Sequence, residues 1–189
     1  MNLTKKFKEY KFVSSSEYMN VKFEKVIHLE AIEAYCKGYR GGKYLEVGTN
    51  YGNSALQAWM TFAPSKMVLC DMFNEKRMIP FIQRTLLIVN CTSEVTFITG
   101  DSHQTVKRIK DTFDVILVDG DHTKKGALQD LRETWPLLRN GGIMLFDDIE
   151  LVRLEEAIDD FSKNLETLEW IKKHKEWKHG VAVLKKGKK

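Results

Sequence analysis

The sequence predicts an α/β domain built around a mainly parallel sheet, and three observations predict it. From residue 43 onward, short apolar runs rich in β-branched and aromatic residues alternate with segments of helical periodicity, the order that βαβ units produce. The first of these runs passes into a helical segment through Gly48 and Gly52, as a strand-to-helix turn does. The 189 residues are 43% apolar and 30% charged, which suits one globular domain with a real core and leaves too little chain for two.

Each element follows from its own pattern. Phe23, Val26, Ile27, Ile32 and Tyr35 recur at helical spacing and predict a covering helix, closed by the glycine-rich stretch 38–42. Strands are predicted at 43–47 (KYLEV), 67–71 (MVLCD), 95–99 (VTFIT), 113–119 (FDVILVD) and 142–147 (GIMLFD). Helices fill the intervals at 53–62, 80–89, 103–110, 124–139 and 151–165. Pro80 suits the opening of its helix, whereas Pro136 falls late in the 124–139 segment and bends or tightens its last turn. LEWIKKH and HGVAVLKK bracket a short connection at 175–178, as two antiparallel strands would. The final KKGKK reads as a frayed end, so truncation after Val183 is expected to leave activity intact.

Composition excludes several classes. No window approaches the ~18 consecutive apolar residues of a membrane span, and the first twenty residues lack the apolar core of a secretory signal. A cytoplasmic compartment is expected. Cys36, Cys70 and Cys91 are odd in number and widely spaced, so buried or half-buried free thiols are expected and a zinc site is not. The net charge of +4 is uneven, with +7 in residues 171–189 and −3 in the rest, so the basic character belongs to a solvated tail.

The segment YLEVGTNYGNSAL carries the first chemistry. A glycine turn that opens a helix lets a ligand approach backbone N–H groups at the positive end of the helix. The dinucleotide fingerprint G-x-G-x-x-G would need glycine at Asn50 and Asn53, and the spacing present is E-x-G-x-x-x-G. Asp71 ends the second strand nineteen residues after Gly52, near the interval at which an acid meets ribose hydroxyls. Gly100, Asp101 and Ser102 follow the third strand. Taken singly, Asp71 reads equally as a helix or turn cap and Asp101 as the N-cap of the next helix. Three acids fall at the ends of strands four and five: Asp119, Asp147 and Asp148. That edge of an open parallel sheet is where ligands bind, and hard oxygen donors favour Mg²⁺ or a similar ion. His122 has a side chain suited to base work near neutral pH, or else it stabilises the loop with Asp121.

Glu46-Val47-Gly48-Thr49-Asn50-Tyr51-Gly52 resembles the first motif of class I S-adenosylmethionine-dependent methyltransferases. FDVILVDGDHTKKGALQDLRETWPLLRNGGIMLFDDI resembles the branch that includes macrocin, catechol and caffeoyl-coenzyme A O-methyltransferase-like enzymes, with resemblance over roughly 43–150. It implies a Rossmann-like, doubly wound, mostly parallel seven-stranded sheet whose last strand is antiparallel. It divides the single domain into N-terminal covering helices at 1–42, a cofactor-binding core at 43–150, and the last helix, hairpin and basic tail at 151–189. It further implies S-adenosylmethionine bound by Glu46, Gly48, Thr49, Asn50, Gly52, Asn53, Ser54, Asp71, Gly100, Asp101, Ser102 and Asp119. A divalent ion, Mg²⁺ or similar, would sit on Asp119, Asp147 and Asp148, with His122 and Asp119 as the catalytic groups. Many catechol-type relatives carry Asp-Asn where this chain has Asp147-Asp148.

The expected partner is a small hydroxylated acceptor, with a homodimer left open. A nucleic-acid methyltransferase is the alternative, gripping phosphates with Lys5, Lys6, Lys8, Lys11 and the tail. Against it, the fourth strand ends in VDGDH without an Asn-Pro-Pro-aromatic pattern, and no cysteine follows a proline. A NAD-dependent oxidoreductase conflicts with Asn50 and Asn53, and a non-catalytic cofactor-binding protein has no need of three convergent acids. Trp135 and Trp170 read as core, and Trp177 is left open.

Overall fold

The computed structural model describes residues 27–163, 165, 166, 168–174 and 180–187. Phe23, Val26, the N-terminal lysines, Trp177 and the connection at 175–178 lie outside the described residues. Among the described residues seven strands form one sheet in the order β3-β2-β1-β4-β5-β7-β6: β1 Lys43–Val47, β2 Lys66–Asp71, β3 Glu94–Thr99, β4 Phe113–Val118, β5 Leu138–Asp147, β6 Leu168–His174 and β7 Val181–Lys186. Strands β1 to β5 are parallel, while β7 runs antiparallel to both β5 and β6. This is the mainly parallel sheet that the alternating pattern predicts, in the doubly wound form that the resemblance implies. No helix among the described residues is long and apolar enough to cross a membrane.

Two apolar layers cover the sheet. One face packs α1 (Ile27–Tyr35), α2 (Asn53–Phe62) and α3 (Met78–Ile88) through Ile32, Ala55, Leu56, Phe62, Ile82 and Leu86. The other packs α5 (Lys124–Thr134) and α6 (Val152–Ser162) through Ala127, Leu131, Leu154, Ile158 and Phe161. Every residue of β4 is buried because this central strand is covered on both faces, which is why it reads as an unbroken apolar run. Trp135 joins the second layer, as expected, and the side chain of Trp170 is not among those described.

Several boundaries depart from the sequence reading, β5 starting four residues early at Leu138, and three of the departures have a clear physical cause. The segment predicted as a helix at 103–110 forms only α4 (Ser102–Thr105) and a 3₁₀ turn over Val106–Arg108, because Ile109 turns extended to feed β4. The helix predicted to reach 139 ends at Thr134, and Trp135–Leu137 tighten into a 3₁₀ turn around Pro136, which has no N–H to continue the ladder. The KKGKK end is not frayed at its start. Strand β7 continues through Lys186, Leu184 is fully buried opposite Met144, and Lys186 Nζ donates to the carbonyls of Trp135 at 3.0 Å and Leu138 at 2.7 Å. Truncation after Val183 would therefore cut a core strand, and the expectation that it is harmless is withdrawn.

Candidate functional site

Strand order reverses between β1 and β4, and their carboxyl ends open a crevice there. At the end of β1, Gly48 takes φ +89° and donates its N–H to Cys70 O at 2.9 Å, while Asp119 donates its N–H to Val47 O at 2.8 Å. The two turns are so close that a Cβ on Gly48 would lie 1.7 Å from the Asp119 carbonyl oxygen. Glycine is required here by the neighbouring chain itself, before any ligand is considered. Gly52, at φ +79°, would place a Cβ 2.8 Å from Ile82, so it too serves packing, at the entry to α2.

A cavity of about 630 Å³ opens above these turns, a volume suited to a small-molecule ligand. Of the residues expected to bind a cofactor, Gly48, Asn50, Asp71, Gly100, Asp101, Ser102 and Asp119 line it. Glu46, Thr49, Gly52, Asn53 and Ser54 are not among its lining residues. Glu46 is fully buried and accepts the Ser54 hydroxyl, tying β1 to α2 beneath the loop. Buried Thr49 turns its hydroxyl to Cys70 O at 3.4 Å.

Asp71 does two jobs at once. Its Oδ2 accepts the Asn50 N–H at 2.8 Å and its Oδ1 the Phe73 N–H at 2.9 Å, so the turn-cap reading is realised. Each carboxylate oxygen keeps acceptor capacity toward the cavity. Asp101 likewise caps α4 by accepting the His103 N–H at 2.9 Å, and still lines the cavity. Met72, Glu75, His103, Gly120 and Asp121, none of them among the residues expected to bind a cofactor, also line it, together with Val47, Asn74 and Met78. Glu75 accepts from the Tyr51 hydroxyl at 2.9 Å and Arg77 Nε at 2.7 Å, and these bonds hold its carboxyl below the usual range. Met72 and Gly120 were legible as the neighbours of Asp71 and Asp119. Nothing local marks Glu75 or His103. Cys70 also borders the cavity, but burial pushes its thiol up to about 12, so it stays protonated there. All three cysteines are free, as expected.

At one end of the cavity the acids converge on a histidine. His122 Nε2 lies 3.1 Å from Asp119 Oδ1 and 3.4 Å from Asp148 Oδ2, and the carboxylate of Asp119 raises the imidazole above its ordinary value. One ligand atom from each of Asp119, His122 and Asp148 lies within 4.8 Å of the other two. An ion with bonds of about 2.1 Å spans donors up to about 4.2 Å apart, so a small contraction would let these three share one. Asp147, the third acid expected in the set, is outside this cluster: it is 4% exposed and sits in register with Val181 at the end of β5. Asp148 leaves the strand at φ +59°, and that turn directs its carboxylate to His122. The imidazole replaces a carboxylate in the donor set, which broadens the fit from Mg²⁺ to borderline first-row ions such as Mn²⁺. Asp121 Oδ1 accepts the Thr123 N–H at 2.7 Å, so this acid stabilises the loop and helix start.

A methyltransferase domain family matches residues 45–149 of the chain. No curated protein matches it in sequence. Among solved structures it is similar to the O-methyltransferase TomG from Streptomyces achromogenes, involved in tomaymycin synthesis and crystallised with SAM, at TM-score 0.68 and 15% identity over 85% of this chain and 80% of that one. It is similar to an O-methyltransferase from Bacillus cereus in complex with SAH, at TM-score 0.65 and 17% identity over 84% and 80% of the two chains. An rRNA methylase from Streptococcus thermophilus reaches TM-score 0.66 at 8% identity, over 84% and 95%. Identities of this size bear on the fold alone.

Proposed function

The chain belongs to this methyltransferase domain family, and on that premise we propose that it transfers the methyl group of S-adenosylmethionine to a hydroxyl of a small acceptor, with a divalent cation at the acceptor side. The observation that carries the reading is the convergence of Asp119, His122 and Asp148 at one end of a cavity whose other walls hold Gly48, Asp71 and Asp101. SAM and its demethylated product SAH, crystallised with structural neighbours, support the cofactor assignment, and O-methyltransferases among those neighbours support the acceptor class.

S-adenosylmethionine supplies an activated methyl group, so the protein's share of the work is position and proton control. Asp71 keeps acceptor capacity for ribose hydroxyls while its two backbone bonds hold it still. Asp101 and the Ser102 hydroxyl oxygen, whose proton goes to Asp130, offer acceptor groups at the far wall. Asp119, His122 and Asp148 would hold the cation, which lowers the pKa of an acceptor hydroxyl and fixes its oxygen. His122 Nε2 faces two carboxylates and so carries a proton, which it must give up before that nitrogen can bind an ion. In this reading Asp119, or His122 when its Nε2 is neither protonated nor bound to an ion, would take the acceptor's proton.

The test is methyl transfer from labelled S-adenosylmethionine to a catechol, a sugar diol and a ribosomal RNA fragment, after EDTA treatment and after restoring Mg²⁺ or Mn²⁺. Diol methylation that depends on the ion is the expected result. Full turnover without metal would overturn the cation assignment, and RNA methylation without diol turnover would move the acceptor to nucleic acid.

A further inference from the structure

Behind the cavity wall lies a carboxylate that no part of this chemistry uses. Asp130, on α5, is fully buried. Its Oδ1 accepts the Ser102 hydroxyl at 2.7 Å and lies 3.3 Å from His103 Nε2, both on the turn that follows β3. Its Oδ2 accepts the backbone N–H of Asp121 at 3.1 Å, on the turn that follows β4. A Cβ on Gly120 would lie 2.6 Å from the same Oδ2, so the second turn is pressed directly against the carboxylate. Ser102, His103, Gly120 and Asp121 all line the cavity, and Asp130 does not.

His103 adds a constraint. Its Nε2 faces two acceptors, Asp130 Oδ1 and the Gly126 carbonyl, each at 3.3 Å. That nitrogen therefore carries the proton, which leaves Nδ1 on the side of Asp101, 3.6 Å from its Oδ1. A buried carboxylate with three polar neighbours on two separate loops is costly to desolvate unless each bond is made, so the bonds and the loop spacing stand or fall together.

We propose that Asp130 is the positioning residue of the cofactor site, holding the β3–α4 and β4–α5 turns at a fixed spacing and assigning the His103 proton to Nε2. The proposal rests on the methyltransferase reading for the identity of the ligand, and its geometry stands apart from that reading. Replacement by alanine removes both ties and leaves the Ser102 hydroxyl and the Asp121 N–H to find water. Replacement by asparagine keeps an acceptor for the Asp121 N–H and turns a donor toward Ser102 Oγ and His103 Nε2, so the loops stay tied while the His103 proton is driven toward Nδ1.

The experiment measures S-adenosylhomocysteine affinity by calorimetry for the full chain, Asp130→Ala and Asp130→Asn, with circular dichroism to confirm folding and ¹⁵N chemical shifts of the His103 ring. Asp130→Ala is expected to bind at least about tenfold more weakly, the scale of one lost buried hydrogen bond. Asp130→Asn is expected to lose less affinity and to shift the His103 ring toward the Nδ1–H pattern. A folded Asp130→Ala with unchanged affinity would overturn the proposal, and so would an unchanged His103 tautomer in Asp130→Asn. If Asp130→Ala does not fold, the affinity and tautomer of Asp130→Asn decide alone. Failure of the unmutated chain to bind S-adenosylhomocysteine would overturn the methyltransferase reading instead, while the ¹⁵N measurement would still judge Asp130.

Discussion

The two ends of the parallel sheet use the same residue types for opposite ends. At the amino edge carboxylates are paired with cations: Asp111 with Lys43 at 2.6 Å and Lys66 at 3.3 Å, Glu94 with Lys66 at 3.3 Å, and Asp114 with Arg139. At the carboxyl edge, Asp71 and Asp101 accept backbone N–H groups and keep an oxygen toward the cavity, and Asp119 with Asp148 converge on one imidazole. At the amino edge the charges named are paired with one another across the strand starts. The carboxyl edge gathers negative charge against a cavity wall, an arrangement that a cation or a donor-rich ligand completes. An acid in this fold is thus informative about function only through what faces it.

Substitutions at five positions test that contrast, beginning with the largest effect. Gly48→Ala puts a methyl 1.7 Å from the Asp119 carbonyl oxygen and should force apart the two turns on which the carboxyl edge is built. A stability loss of about 3 kcal/mol or more is expected, with binding lost alongside, because the residue must hold φ +89° as well as avoid the clash. Thermal melts together with calorimetry check it, and a native melt with lost binding would restore a purely ligand-facing role for Gly48.

Asp119→Asn and Asp148→Asn come next. Each should cut turnover by about 10²-fold or more while the melting temperature changes little, since the half-exposed His122 keeps the other of its two facing acids. Equal losses of turnover and stability would mean that the cluster is structural like the amino edge. Asp71→Ala should weaken S-adenosylmethionine binding by about 2 kcal/mol, the worth of hydrogen bonds to a charged acceptor, with Asp71→Asn recovering part of it. Unchanged affinity in a titration would leave Asp71 as a turn cap only.

The smallest effect is expected at the amino edge. Asp111→Asn should cost less than about 1 kcal/mol and leave cofactor affinity alone, as a largely surface pair does. The Lys43 ammonium holds the Asp111 carboxyl below its ordinary value, with help from the Thr112 N–H and Lys66. A depressed folded value contributes stability that is present above the unfolded pKa of ~3.9 and lost as pH falls through the folded one. The gap between unmutated and Asp111→Asn melting temperatures should therefore be open at pH 7 and closed near pH 2. A gap that widened on acidification would show the sign to be wrong.

Sequence alone determined the parts of this protein that depend on neighbours in the chain. Strand β1 and helix α2 fall on their predicted residues because an apolar run, two glycines and a helical pattern act within a few residues of one another. The parallel sheet and the acids at its carboxyl edge followed from the same periodicities, and the family resemblance named the cofactor class. Tertiary structure decided what depends on who faces whom. Asp147 and Asp148 are identical in chemistry and adjacent in sequence, and only the turn at φ +59° gives Asp148 to His122 while Asp147 stays at the buried end of β5. Lys186 looked like a solvated tail until β6 supplied a register partner in Leu168 and the carbonyls of Trp135 and Leu138 accepted its ammonium group. Asp130 carried no signal at all, for its role exists only where two loops 28 and nine residues away in sequence fold against one buried carboxylate.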